Sequence, residues 1–409
     1  MGDPKKVILA HSGKQHSYYI ARNLQVLGSL KAFYTSAYVA SPTLQRFFLS
    51  RKPGFFSRRF LEGLSGPVIH TMWSLELPEF IARLQKREAA KVTDLVCARD
   101  ERFDKILSRK LKDLEFDIYW GYQGSSLRSL RAANQLNKVS LIEMTTPYLP
   151  FVKSLLTEET LFHPEWSDSI DTVSYTSGYE QRLIEEPLEA SKVISVSSFL
   201  KRTLTDYGVP SEKIHVLPLG FDPSRIIFNE CYERNGGRPL KLLFTGRITQ
   251  AKGMKYMLDA MEQFDRKDVE LHLVGNIIGS GKALMRRKKL FVHHGSMAQI
   301  KLFEFYKDFD AFLFPSLIEG FPLSVIEAMG AGLPVITTPN TSADELIIDG
   351  KTGYLVPIRD SAAIVSSIQQ LLNLNKDEFQ QLRLNARNKA LEYTWAANRE
   401  RTKYFLADL

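Results

Sequence analysis

Cysteine is nearly missing from this chain: Cys97 and Cys231 are the only two in 409 residues, too few for a disulfide framework and without metal-ligand spacing. No uninterrupted apolar stretch approaches the roughly 18 residues that span a bilayer. The first twenty residues lack the apolar core and small-residue cleavage site of a signal peptide. Met1-Gly2 is followed by Lys6 where a myristoylation signal carries Ser or Thr. There is no short-period repeat, low-complexity tract, zinc-finger spacing or RNP or KH signature, so nucleic acid is not an expected partner. A soluble cytoplasmic protein is expected.

What is present is ordinary in amount and uneven in placement. Hydrophobic residues at 44% and charged residues at 24% fit a globular chain, and the length calls for two domains. The net charge is +8, yet residues 1–60 hold ten Lys or Arg against one acid, Asp3. Residues 151–200 hold nine acids against three bases. Such polarity suits a basic face turned towards phosphates or anionic lipid. Within it, residues 44–60 interleave five cations with five phenylalanines, a composition fit either for peripheral contact with the inner face of the plasma membrane or for an ordinary helix pair.

Short β-branched and aromatic runs alternate with amphipathic stretches, twice. Strands are expected at 6–10, 116–120, 139–143 and 192–196, then at 239–244, 269–274, 311–314 and 334–337. Continuous apolar strands separated by helices imply α/β architecture, with parallel sheets covered on both faces. The expected division is an acceptor-binding domain over 1–222, a donor-binding domain over 223–390, and a C-terminal helix, 391–409, returning to the first domain. The polar, glycine-paired stretch 229–238 reads as the linker.

In open parallel sheets ligands bind beyond the carboxyl ends of the strands. One such end carries Gly246, Arg247 and Lys252, where backbone can approach a ligand and two cations can clamp a diphosphate. A second carries Gly275. A third runs through Glu319, Gly320 and Phe321 into a helix expected from Pro322 to Met329, whose first turn, through Leu323 and Ser324, offers N–H groups and a positive dipole end to an anion. Glu327 lies on that helix among apolar neighbours, and an unpaired carboxylate there is costly. Ligand hydroxyls or a salt bridge would satisfy it.

The run from Glu319 through Glu327 to Ile336 resembles the signature of retaining GT-B glycosyltransferases of family 4, with Glu319 and Glu327 as its E-x7-E pair. Gly246-Arg247 with Lys252-Gly253 is similar to that family's diphosphate motif, and 349–357 to its downstream strand. The resemblance implies a GT-B architecture, two Rossmann-like domains facing across a cleft. It implies a nucleoside-diphosphate sugar as donor (UDP-sugar first, GDP-sugar second), no bound metal or other cofactor, and a glycan, lipid-linked or small-molecule acceptor. Arg247 and Lys252 would neutralise the departing diphosphate and Glu319 would touch the transferred sugar. Gly320 and Phe321 would meet the diphosphate, Glu327 the ribose, Gly295, Ser296 and Met297 the base, and Gly13 the phosphate from across the cleft. The family's N-domain histidine after a middle strand is absent from residues 143–148, which leaves His16, Thr145 and Thr146 as candidates for acceptor or sugar contact. The alternatives are a non-catalytic nucleotide- or carbohydrate-binding GT-B protein, or a GT-B epimerase or phosphorylase.

Overall fold

The computed structural model describes every residue except 1–3, 15, 50–58, 86, 171–174 and 231–236. Among the described residues thirteen strands form two sheets. The first contains β1 (Val7–His11), β2 (Leu30–Thr35), β3 (Ile69–Thr71), β4 (Ile118–Tyr122), β5 (Val139–Met144), β6 (Lys192–Ser195) and β7 (Ile214–Val216). The second contains β8 (Leu240–Thr245), β9 (Val269–Val274), β10 (Phe291–His293), β11 (Ala311–Phe314), β12 (Val335–Thr337) and β13 (Gly353–Leu355). Their orders are β3-β2-β1-β4-β5-β6-β7 and β10-β9-β8-β11-β12-β13, and every pairing is parallel. The central strands β1, β4, β8 and β11 are buried at every position but Lys241, as sheets covered by helices on both faces require. The strand order reverses between β1 and β4 and again between β8 and β11. These are the switch points where loops diverge and leave a crevice.

β9 and β11 fall on their expected residues, while β4 begins two residues later than expected. Asp117 is held outside the strand, its carboxylate accepting from the Lys6 N–H at 2.7 Å and its own N–H donating to the Lys6 carbonyl. Pairing with β1 therefore starts at Val7 and Ile118. The expected linker lies mostly outside the described residues, as do 50–58 of the basic-aromatic segment and Cys231.

Helix Lys376–Leu391 packs on helix Leu323–Gly330 of the second sheet's domain, whereas helix Trp395–Ala407 packs on helix Ser17–Val26 of the first. Trp395 stacks on Tyr19 at 4.2 Å, and the Asn398 side chain donates to the Pro218 carbonyl at 2.8 Å. The chain thus crosses between domains twice, and the crossings touch. The Phe221 N–H donates to the Tyr393 carbonyl, and the Trp395 N–H to that of Phe221. A Cβ on Gly220 would lie 2.5 Å from the Trp395 nitrogen.

Candidate active site

The second domain builds its share of the site from backbone. Beyond β8 the chain enters Gly246 at φ +144°, and beyond β9 Gly275 at φ +143°. A Cβ on Gly275 would sit 1.8 Å from the Gly246 carbonyl oxygen, so only glycine lets the two loops touch. The N–H groups of Gly246, Ile248 and Gly275 donate to Val274, Asn276 and Gly295, extending the ladder past the strand ends. Ser296 donates its hydroxyl to the Asn276 side chain, and Met297 packs against the core. Gly253, left-handed at φ +74° and pressed on the Pro315 carbonyl, turns the chain into helix Met254–Met261. That turn carries the Lys252 ammonium across to the β11 loop, where it pairs with Glu319 and lies 5.7 Å from the Phe314 ring. Arg247 stands exposed on the same loop.

The β11 loop is fixed from both domains. The Gly320 carbonyl accepts hydroxyls from Ser197 of the first domain at 2.7 Å and Ser342 of the second at 2.6 Å. A Cβ on Gly320 would lie 1.9 Å from the Thr145 carbonyl oxygen. Phe321 is buried, and Pro322 is the cap rather than the first residue of helix Leu323–Gly330, so the helix starts and ends one residue later than expected. Leu323 and Ser324 then supply its first-turn N–H groups. Glu327 has no salt bridge among the described residues, and the Gln299 amide donates to it at 3.2 Å. Burial pushes its carboxyl up to about 7, against smaller opposing effects of the Gln299 hydrogen bond and the Arg225 charge.

The first domain builds its share from buried side chains. His16 caps helix Ser17–Val26 without a side-chain cap bond, and its ring is buried with Nε2 against Glu143 Oε1. The other Glu143 oxygen accepts from the Trp120 indole at 2.9 Å, so a carboxylate only 1% exposed has both oxygens used. The edge of Tyr122 packs on the same imidazole at 5.5 Å. Nearby, Asp100 accepts from Ser12 at 2.6 Å, Tyr179 at 2.7 Å and Arg99 at 3.0 Å, while Glu76 pairs with Arg59 at 2.6 Å and accepts from Ser36.

Two cavities open on these groups. One of about 610 Å³ lies between the domains and is lined by His16, Thr145, Phe321, Leu323 and Glu327, together with Lys14, Arg225, Gln299 and Trp395. The other, of about 700 Å³, lies in the first domain. It is lined by Gly13, Thr145 and Thr146, by the Arg59–Glu76 and Arg99–Asp100 pairs, and by the apolar Val92, Val96, Leu149 and Val152. Lys14 and Thr145 line both. Gly246, Arg247, Lys252, Gly275, Ser296, Met297, Glu319, Gly320, Pro322 and Ser324 are outside both linings. Gly13 opens on the first-domain cavity rather than on the one between domains. Sequence reasoning overlooked Arg225, Gln299 and the Glu143 carboxylate. Only Glu143, a charged residue inside an apolar strand, offered a signal.

Residues 239–374 match the family model described as Glycosyl transferases group 1. The putative colanic acid biosynthesis glycosyltransferase WcaL of Salmonella typhimurium is 28% identical over 249 residues, 57% of this chain and 59% of that protein. The amylovoran biosynthesis glycosyltransferase AmsK of Erwinia amylovora is 27% identical over 195 residues, 44% of this chain and 47% of that one. The matched stretch thus spans about half the length of these relatives. Among solved structures, Anabaena HepE in complex with UDP and glucose superposes with a TM-score of 0.62 at 15% identity, covering 99% of this chain and 100% of that one. The lipopolysaccharide outer core galactosyltransferase WaaB superposes at 0.63, with 15% identity and coverage of 99% and 100%. The whole chain thus has the fold of these solved structures, and its second domain is similar in sequence to the glycosyl transferases group 1 family.

Proposed function

We infer that this chain moves a sugar from a nucleoside-diphosphate sugar to an acceptor hydroxyl, with retention and without a bound metal, as a family 4 enzyme of cell-surface polysaccharide or lipid-linked glycan synthesis. The observation that carries the reading is that the β11 loop, which holds the Lys252–Glu319 pair, leads into helix Leu323–Gly330, whose Leu323 and Glu327 line the inter-domain cavity with His16 and Thr145. Negative charge grows on the leaving diphosphate as the glycosidic bond breaks. Fixed cations and helix N–H groups stabilise that charge most where water is excluded. Lys252 and Glu319 neutralise each other in the ligand-free chain. A bound donor would take the ammonium onto its phosphates and turn Glu319 to the sugar. Glu327 would accept from ribose hydroxyls, and the base would lie along Gly295 to Met297. UDP is the first choice of carrier, supported by the UDP in the HepE complex, and GDP the second.

The acceptor would enter through the first-domain cavity, which reaches the inter-domain one at Lys14 and Thr145. Its apolar wall suits an acceptor with a hydrophobic tail, and the exposed Leu44 and Phe47 support membrane contact by segment 44–60. No helix among the described residues is long and apolar enough to cross a membrane. Thermal unfolding against UDP, GDP and ADP, each with and without EDTA, tests the donor site. A ligand at 100 times its dissociation constant adds about 2.7 kcal/mol of stability. A shift with one nucleotide that survives EDTA and vanishes in Arg247→Ala supports the reading, and no shift with any of the three ends it.

A further inference from the structure

On the far side of helix Ala89–Lys110 from the acceptor cavity, a groove of about 710 Å³ runs between that helix and helix Leu127–Gln135. Val92, Val96 and Arg99 of the long helix line the cavity, whereas Arg102, Lys105, Arg109 and Lys112, the last just past its end, line the groove. The spacing of these four (three, four and three residues) places them along one face over about 15 Å. Arg128 and Arg131 line the groove from the opposing helix, and Glu101 is the one acid in the lining. Arg131 is engaged by Glu185 and Glu189, and the floor residue Arg182 by Asp104. The side chains of Arg102, Lys105, Arg109, Lys112 and Arg128 are exposed and have neither a hydrogen bond nor an ion pair among the described residues. Gly178, in the first turn of helix Ser177–Glu189, closes one end, adding the positive end of a helix dipole.

Five cations without partners among the described residues line one concave surface, four along one helix and Arg128 from the other, and successive ones along the helix stand within a Debye length and repel each other. Glu101 and Asp113 stand four residues from Lys105 and Arg109, yet neither pairs with them among the described residues, and Arg102, Lys112 and Arg128 have no acid at that spacing. The arginines present planar forks that match phosphate oxygens bidentately, and the lysines add point charge. We propose that this groove is a second anion site, separate from the donor cleft, that binds a ligand carrying two or more phosphoryl groups or a cluster of phosphate headgroups. The site needs neither the donor nor the transfer reaction, so it stands apart from the proposed function.

The test uses the full chain with saturating UDP, to occupy the donor cleft. Two probes are titrated at low salt: inorganic tripolyphosphate by calorimetry, and phosphatidylcholine vesicles with and without phosphatidylglycerol by co-sedimentation. The variant combines Arg102→Gln, Lys105→Gln, Arg109→Gln and Lys112→Gln, exposed positions whose side chains hold no contact the fold depends on. The control combines Arg286→Gln, Lys288→Gln and Lys289→Gln on the other domain. Tripolyphosphate binding that weakens tenfold or more in the groove variant and not in the control assigns a soluble phosphate ligand. Binding to phosphatidylglycerol vesicles that is lost in the groove variant alone assigns lipid headgroups. Equal behaviour of the unaltered chain and the groove variant with both probes, or an equal loss in the control, overturns the proposal.

Discussion

In the second domain, the loops after β8, β9 and β10 are tied chiefly by main-chain groups of Gly246, Gly275 and Gly295, with the His293 ring also donating to the Gly275 carbonyl at 2.8 Å. In the first domain, the loop after β1 is tied to β4 and β5 through His16, Glu143 and Trp120, and to helix Ala89–Lys110 through Ser12 and Asp100. The same parallel architecture is thus finished in two materials. A backbone frame is indifferent to pH and intolerant of a single added carbon. A frame of buried charges tolerates changes of shape and fails when one partner is removed.

The comparison is broken most severely at its two keystones. Gly275→Ala should destabilise the second domain by more than about 4 kcal/mol, because the new carbon cannot clear the Gly246 carbonyl. Glu143→Ala should cost about 3–5 kcal/mol by stranding His16 and the Trp120 indole. Urea midpoints measure both, and a loss below about 1 kcal/mol in either would remove that half of the contrast. Next comes Lys252→Ala, which leaves the backbone frame intact and should lower the transfer rate about 10²–10³-fold with little change in the unfolding midpoint.

Glu327 sharpens the contrast, since it places a titrating group on the backbone-built side. Its carboxyl is raised from 4.5 to about 7, so the folded state holds the proton more tightly than the unfolded chain. Its contribution to stability is therefore fully present below pH 4.5 and lost as pH rises to about 7. Ribose hydroxyls donating to the carboxylate favour the ionised form, so nucleotide affinity should climb as pH rises towards 7 and level off above it. Calorimetry at several pH values reads this, and Glu327→Gln should flatten the profile. The smallest effect is expected of Ser197→Ala, about 1 kcal/mol, because it removes one helix cap and one of two hydroxyls on the Gly320 carbonyl. Its signature is a change in how the domains meet, readable by small-angle scattering.

The backbone-built half was legible in the sequence because a loop that must touch another loop needs glycine at a fixed place. Gly246, Gly275 and Gly320 were marked at strand ends, Gly246 for approach to a ligand, and Gly253 only through the motif it completes; the structure uses all four for close approach of backbone to backbone. β9 and β11, long or fully apolar, were equally plain. The side-chain half was not legible: His16 and Glu143 lie 127 positions apart, and nothing local in either segment says that they meet. The Gln299–Glu327 contact is of the same kind, since either an amide or a cation satisfies a buried carboxylate. β2 escaped notice because Lys31 interrupts its apolar run, and β3, β7 and β10 because three residues are too few to show a period.

The doubled chain crossing at Gly220–Phe221 and Tyr393–Trp395 gives the molecule a mechanical property. A single covalent strand between two bodies leaves them free to tilt, twist and slide. Two strands bonded side by side act as a pinned axle, about which the domains would turn once cross-domain pairs such as Arg359–Glu159 and Arg202–Asp344 part. Trp395 belongs to that axle and to the wall of the inter-domain cavity as well, so the hinge angle and the width of the cleft are one coordinate. A side chain forced in at Gly220 would act as a wedge in that axle, resetting the cleft while leaving both sheets as they were.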